Sequence, residues 1–342
     1  MTTGALFVAV LPSLFYFSLL TPMLLLLIPL IHNLSAGGET PGTVTYLYET
    51  FPKKTRPFAL SWVNFGFFLG VFLSTVDFSS LYWELKQEQF LNWGWRIPFL
   101  FSAFIGFLGL FFRKKLHETP QFNYSKTHHT LFKNPFKILF KDYKKQILLG
   151  TGLLTLHTIS INILVIFNPS YFQTYLGRSP DETLTLCIFS VMIGLLTAPL
   201  AGYISLKIEA KKLLHSLTLL LIILALPLYK LLQTDSMLNL FFASALLTCI
   251  TSAYSSLIPG FVCDLFPSTL RCSGYSASSN ILIALLTGVV PPLLSWLITS
   301  KGLMLSPGYA IIIAATISSI SLFMLNGIKK PNSEKNQQPI KA

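Results

Sequence analysis

The chain has 342 residues, of which 52% are hydrophobic and 14% aromatic but only 11% charged, and its mean hydropathy is +0.62. That balance excludes an ordinary soluble domain and makes lipid the expected solvent. A formal net charge of +12 would suggest nucleic acid as the partner of a soluble protein, but basic residues gather in the cytoplasmic loops of membrane proteins, so nucleic acid is not expected here.

A spanning helix needs about 20 mostly apolar residues. The first apolar run, 4–18, covers only about 22 Å at 1.5 Å per residue, and it reads as the second part of a spanning helix whose first part is missing. The N-terminus has no basic segment ahead of this run, so no cleavable signal peptide is expected. A second helix is predicted over 19–47, apolar in its first half and small or polar in its second, where Ser35, Gly37, Gly38, Glu39 and Gly42 suit close contact with other helices. Eight clean runs follow at 58–78, 95–112, 146–168, 183–205, 213–232, 237–262, 275–298 and 308–328. The fold class is therefore all-α and integral to the membrane, a helical bundle of about ten hydrophobic segments with the first partial.

Alternating these segments across a bilayer sorts the charge. Lys53, Lys54, Arg56, the basic residues between Arg113 and Lys145, Lys207, Lys211, Lys212, Arg271 and the lysines after the last helix fall on one side. Only Lys86, Arg96, Arg178, Lys230 and Lys301 fall on the other, so both termini are predicted to be cytoplasmic. The longest polar segment, 113–145, reads as a basic cytoplasmic linker near anionic headgroups. Its adjacent His128 and His129 have no further ligands, and Cys187, Cys249, Cys263 and Cys272 lack zinc-ligand spacing, so no metal or cofactor is expected.

Several motifs carry a resemblance. Ser35-Ala36-Gly37-Gly38-Glu39, then Tyr48-Glu49-Thr50-Phe51-Pro52 and Arg56, resemble helix four and its cytoplasmic exit in the metabolite:proton symporters of the major facilitator superfamily. Trp93 to Phe99 resembles the start of helix six, and Arg113, Leu116, Glu118, Pro120 and Phe122 the pattern at its end. Phe266-Pro267 with Arg271, Ser273, Gly274 and Asn280 resembles the passage from helix ten to helix eleven. Within the family the bacterial proline/betaine (osmoprotectant) transporters look most similar, while other members carry α-ketoglutarate or citrate. The sequence departs from the family at Pro29, His32 and Asn33, where a basic residue and Gln-Gly are usual, and at Leu206, where an acidic residue is usual.

The resemblance implies an incomplete amino-terminal bundle over 1–112, lacking two helices, then the linker over 113–145, a six-helix bundle over 146–328 and a cytoplasmic tail over 329–342. It implies proton-coupled import of a small zwitterionic or anionic solute through the inner membrane, with no cofactor beyond the proton gradient. The alternatives are a truncated remnant that does not transport, or a carrier of small carboxylates. The partners are a small-molecule solute and the bilayer, and a monomer is compatible with the pattern. An enzyme is not expected, because no span holds paired catalytic residues.

Ionisable residues within spans are costly and mark function by default. Glu39 is the first candidate, with His32 two turns earlier on the same face; they are read either as proton-coupling groups or as interhelical hydrogen-bond partners. His157, Asn162 and Asn280 are candidates to bind the solute, or else polar glue between helices. Arg56, Arg113, Glu118 and Arg271, at cytoplasmic helix ends, are candidates for a gate of ion pairs, or else plain anchors.

Overall fold

The computed structural model describes residues 2–9, 37–115, 118–128 and 132–325. Among the described residues there is no strand, as the bilayer demands: without water to answer them, backbone amides and carbonyls must bond within their own segment. The helices are α1 (Thr2–Ala9), α2 (Glu39–Thr50), α3 (Arg56–Glu84), α4 (Gln87–Asn92), α5 (Ile97–Arg113), α6 (Pro120–Thr127) and α7 (Pro135–Asp142). They continue with α8 (Lys144–Tyr175), α9 (Pro180–Ile204), α10 (Ala210–Leu232), α11 (Met237–Cys263), α12 (Arg271–Lys301) and α13 (Ser306–Met324). Among the described residues eight segments are long and apolar enough to cross a membrane, and each overlaps one of the eight predicted runs. The predicted helix over 19–47 lies mostly outside the described residues. The linker carries two short helices, α6 and α7, that the sequence reading does not predict.

Local chemistry sets the ends. Ser179 and Glu182 form a reciprocal capping box at α9, with Pro180 in the first turn where no amide partner is needed. Thr119 and Asn134 accept from backbone amides at the starts of α6 and α7. Gly302 closes α12 in the left-handed conformation (φ 67°), which side-chain-bearing residues adopt only at a cost. Inside the spans, many hydroxyls answer to their own helix: Thr75, Thr155, Ser190, Thr197, Thr251 and Thr316 each donate to the carbonyl four residues back.

The chain forms two compact units. The first comprises Met1–Thr40 and Gly70–Glu118, in which α1 lies along α5. Most side chains of α5 are exposed, Phe104, Phe107, Phe111 and Phe112 among them, as suits a helix facing lipid. The second comprises Pro41–Leu69 and Thr119–Ala342, so α3 is shared, passing from the second unit to the first at Gly70. Here α9 and α10 pack on α11, α10 also packs on α13, and α8 packs on α12 and α13. Leu153, Leu156, Ile163, Leu186, Leu221, Leu247 and Ile311 are fully buried between them.

Lipid tails are as apolar as leucine, so helices in a bilayer associate through close packing and hydrogen bonds. Both are visible. The Tyr254 hydroxyl donates to the Leu153 carbonyl (2.7 Å), and Ser318 accepts from the Leu156 amide while donating to the Gly152 carbonyl (3.1 and 2.8 Å). The Asn64 side-chain amide donates to the Ser252 carbonyl and to the hydroxyls of Ser252 and Ser256, joining the first half of α3 to α11. Glycines admit α3: a Cβ at Gly194 would lie 2.5 Å from the Phe68 ring, and one at Gly202 would lie 2.3 Å from Ser61 Oγ and 3.1 Å from the Phe58 Cα. Because backbone stands in the way at Gly202, Gly202→Val is expected to lower thermal stability in detergent, by about 1–3 kcal/mol as for an overpacked core. Gly66→Ala, at a position with nothing within 4 Å, is expected not to lower the melting temperature, both variants being followed by intrinsic fluorescence on heating.

Candidate functional site

The most concentrated charge within the second unit lies where the ends of α2, α3, α6, α11 and α12 converge. The Arg271 guanidinium donates to Glu49 Oε1 (2.5 Å) and to Gln121 Oε1 (3.0 Å). The other carboxylate oxygen of Glu49 accepts from the Thr119 hydroxyl (2.7 Å), whose oxygen also accepts the Phe122 amide and so starts α6. Glu49 and Arg271 are both nearly excluded from solvent, their side chains 5% and 10% exposed. Further hydrogen bonds offset the cost of burying such a pair, and Thr119 and Gln121 each supply one, while Arg271 Nε finds no partner among the described residues.

Beside this pair stands Tyr48. Its hydroxyl donates to the Asp264 carboxylate, and the guanidinium carbons of Arg56 and Arg271 lie 3.9 and 4.6 Å from its ring centroid. Two cations on one phenol ring are attracted to its electron-rich face, and partial desolvation strengthens the attraction. Burial, reinforced by the Asp264 carboxylate, pushes the phenol pKa well above its usual value, so Tyr48 remains the proton donor throughout the physiological range.

The cluster is built from two copies of one short motif. Glu49-Thr50-Phe51-Pro52, with Arg56 four residues on, has the same spacing as Asp264-Leu265-Phe266-Pro267 with Arg271. In each copy the acid ends a helix, Phe-Pro makes the turn, and the arginine starts the next helix. The pairing crosses between copies: the acid of the first takes the arginine of the second, while the acid of the second takes Tyr48, on which the first arginine is stacked. Internal repeats of this kind are a mark of transporter folds.

Of the four predicted gate residues, Arg56 and Arg271 thus meet around Tyr48. Arg113 instead lies 3.6 Å from Glu39 within the first unit, in a pair whose side chains are 59% and 43% exposed. Glu118 is exposed, one residue before Thr119. Glu39 thus keeps a partly exposed side chain beside Arg113, and His32 lies outside the described residues. Asn280 donates to the Ser276 hydroxyl within α12 (2.8 Å).

His157 and Asn162 fall on α8, where the helix departs from α geometry. Residues Asn162–Phe167 and Tyr171–Tyr175 are π-helical, flanking a single α turn at Asn168–Ser170 that contains Pro169. Such widened turns concentrate at functional sites. Asn162 donates to the Thr158 carbonyl and to the Thr287 hydroxyl on α12 (2.8 and 3.2 Å). Four buried polar atoms in six residues, His157 Nδ1, Thr158 Oγ1, Ser160 Oγ and Asn162 Oδ1, have no hydrogen-bond partner among the described residues. Each would cost about 1–3 kcal/mol if left unanswered, so a concentration of them on one helix is notable. Among the described residues no cluster of His, Cys, Asp and Glu is able to hold a metal ion.

The family follows from these features and from comparison with known proteins. The model of the Major Facilitator Superfamily matches residues 1–291, and the chain belongs to that family. It is 29% identical over 330 residues to the proline/betaine transporter of Escherichia coli K12, an alignment covering 92% of this chain and 64% of that protein. It is 30% identical to a putative proline/betaine transporter of Staphylococcus haemolyticus, covering 99% of this chain and 72% of the relative. A Dickeya dadantii transporter named for glycine betaine, proline, ectoine and pipecolic acid is 28% identical. The chain thus spans somewhat under two thirds of the length of the Escherichia coli relative. Among solved structures, the proton:xylose symporter XylE bound to 6-bromo-6-deoxy-D-glucose shares the fold, with a TM-score of 0.63 at 17% identity over 84% of this chain and 66% of that one.

Sequence reasoning singled out Arg56 and Arg271 but did not group Tyr48, Glu49, Thr119, Gln121 and Asp264 with them in one cluster. The signal was present in the repeated acid, Phe-Pro and arginine spacing. Removing one partner of the buried pair strands the other, so Arg271→Gln is expected to cost about 3–5 kcal/mol. Combining it with Glu49→Gln, which removes both charges, should recover most of that loss. Arg113→Gln, in an exposed pair, should cost about 1 kcal/mol or less. Thermal unfolding of the four purified proteins in one detergent checks the order.

Proposed function

We propose that this chain is a proton-coupled secondary transporter that imports a small zwitterionic solute of the proline or betaine type across the bacterial inner membrane. The observation that carries the reading is the crossed ion-pair cluster at Glu49 and Arg271 in a chain of this family. The excess of lysine and arginine at that end would put it, and both termini, in the cytoplasm. In an alternating-access cycle, such a cluster holds the cytoplasmic end closed, and its separation lets the solute out. The relatives' names favour proline and betaine as the first solutes to test.

The unanswered polar atoms of α8 support a binding role for His157, Thr158, Ser160 and Asn162. A zwitterion offers both a carboxylate to the donors and, in proline, an ammonium to the acceptor Asn162 Oδ1. The driving force is the proton gradient, with Glu39 as the group that takes up the proton, and no cofactor takes part.

The test is uptake of labelled proline, glycine betaine and α-ketoglutarate by cells lacking their own osmolyte carriers, with and without a proton uncoupler. Uncoupler-sensitive uptake of proline or betaine is expected; uptake of α-ketoglutarate alone would move the substrate class to carboxylates, and no uptake by correctly inserted protein would overturn the transport reading. Asn162→Ala is expected to raise KM about tenfold for the transported solute, the loss of one to two hydrogen bonds to a charged group. Glu39→Gln should abolish uncoupler sensitivity with membrane insertion intact. If Arg113→Gln has the same effect, Glu39 acts through its ion pair and not by carrying a proton.

A further inference from the structure

We propose that α7 is a docking surface for anionic phospholipid headgroups, holding the linker flat against the membrane. This inference rests on the chain being embedded in a bilayer and is independent of what it transports. The residues of α7 divide by face. Leu139 is fully buried where α7 packs on α12, and Ile138 is half-buried beside it. Phe136 and Phe140, one helical turn apart, are instead 46% and 45% exposed. Directly after each comes an exposed lysine, Lys137 and Lys141, and the helix is flanked by exposed Lys133 on one side and Lys144 and Lys145 on the other. Asp142 is the only acidic residue between Phe132 and Lys145.

Position then chooses the occupant. A single residue, Tyr143, separates α7 from α8, which is long and apolar enough to cross the bilayer, so α7 must lie at the boundary where that span meets water. Two phenylalanine rings exposed there gain by entering the region between headgroups and acyl chains, while the adjacent lysines keep their ammonium groups at the phosphates. An acidic protein would satisfy the lysines but has no need of the rings. A neutral lipid surface would accept the rings but leave five ammonium groups without counter-charge. An anionic lipid surface answers both, and attraction of this kind falls off within a Debye length, so the immediate juxtaposition to the span matters.

The purified full chain, reconstituted in phosphatidylcholine, is titrated with spin-labelled phosphatidylglycerol or spin-labelled phosphatidylcholine, and electron paramagnetic resonance gives the relative association of the two. The wild-type chain is expected to prefer phosphatidylglycerol. The combined Lys133→Gln, Lys137→Gln and Lys141→Gln variant should lower that preference at least about twofold, given the attraction each surface lysine supplies. Replacing Lys53, Lys54 and Lys207 by glutamine, an equal change of charge elsewhere, should leave it nearly unaltered. Phe136→Ser with Phe140→Ser should weaken association in a manner insensitive to salt. An unchanged preference in the α7 lysine variant, or an equal fall in the control variant, would overturn the proposal. Circular dichroism establishes that each variant keeps its helix content, and if the triple variant does not, the three single substitutions are read in its place.

Discussion

A carboxylate taken out of water has to be met by donors from the protein, and the burial of Glu49 governs how five helix ends come together. Its two oxygens accept from Arg271 and Thr119, which belong to segments far apart in the chain. Thr119 can serve only because it begins α6, and Arg271 only because the Phe-Pro turn after α11 delivers it there. Gln121, the second residue of α6, accepts a further bond from the guanidinium. Packing alone would tolerate many arrangements of apolar helices in lipid, since tails and side chains are chemically alike. A desolvated charge pair tolerates few, which is why such a pair specifies geometry even where it adds little net stability.

Much of this architecture was legible from the sequence because lipid imposes a simple rule. A run of some twenty apolar residues has few alternatives to a spanning helix, and all eight clean runs became one. The positions of Arg56 and Arg271 at helix ends were legible for the same reason. What the sequence hid was pairing. Hydropathy does not reveal that Glu49 meets Arg271 of the other motif, nor that Tyr48 donates to Asp264. Periodicity was equally silent on the π-helical turns of α8 on either side of Pro169, because widened turns depend on how a helix is packed, a tertiary outcome. The two linker helices were missed because a polar, lysine-rich segment masks short elements whose only buried anchors are single residues such as Leu139.

Serine and threonine have a consistent part in this fold. Many in the spans donate to their own backbone, which makes a polar side chain affordable at membrane depth and leaves its second lone pair available to a neighbour, while Thr151, Ser252 and Ser318 donate to carbonyls of other helices. Ser256 shows both uses at once, donating to the Ser252 carbonyl while accepting from Asn64. The bare hydroxyls at Thr158 and Ser160 are conspicuous against this background, since they lie within the same helix as others whose needs are met locally.

The two copies of the repeated motif hold by forces of different range. Between Glu49 and Arg271 the attraction is between full charges and decays slowly with distance, roughly as its inverse. Between Tyr48 and Asp264 it is a hydrogen bond from a neutral donor, directional and largely gone once donor and acceptor part by about 1 Å beyond contact. A small separation of the helix ends therefore ends one interaction while leaving most of the other. The cluster is a fastening with a brittle element and an elastic one, and it releases in that order.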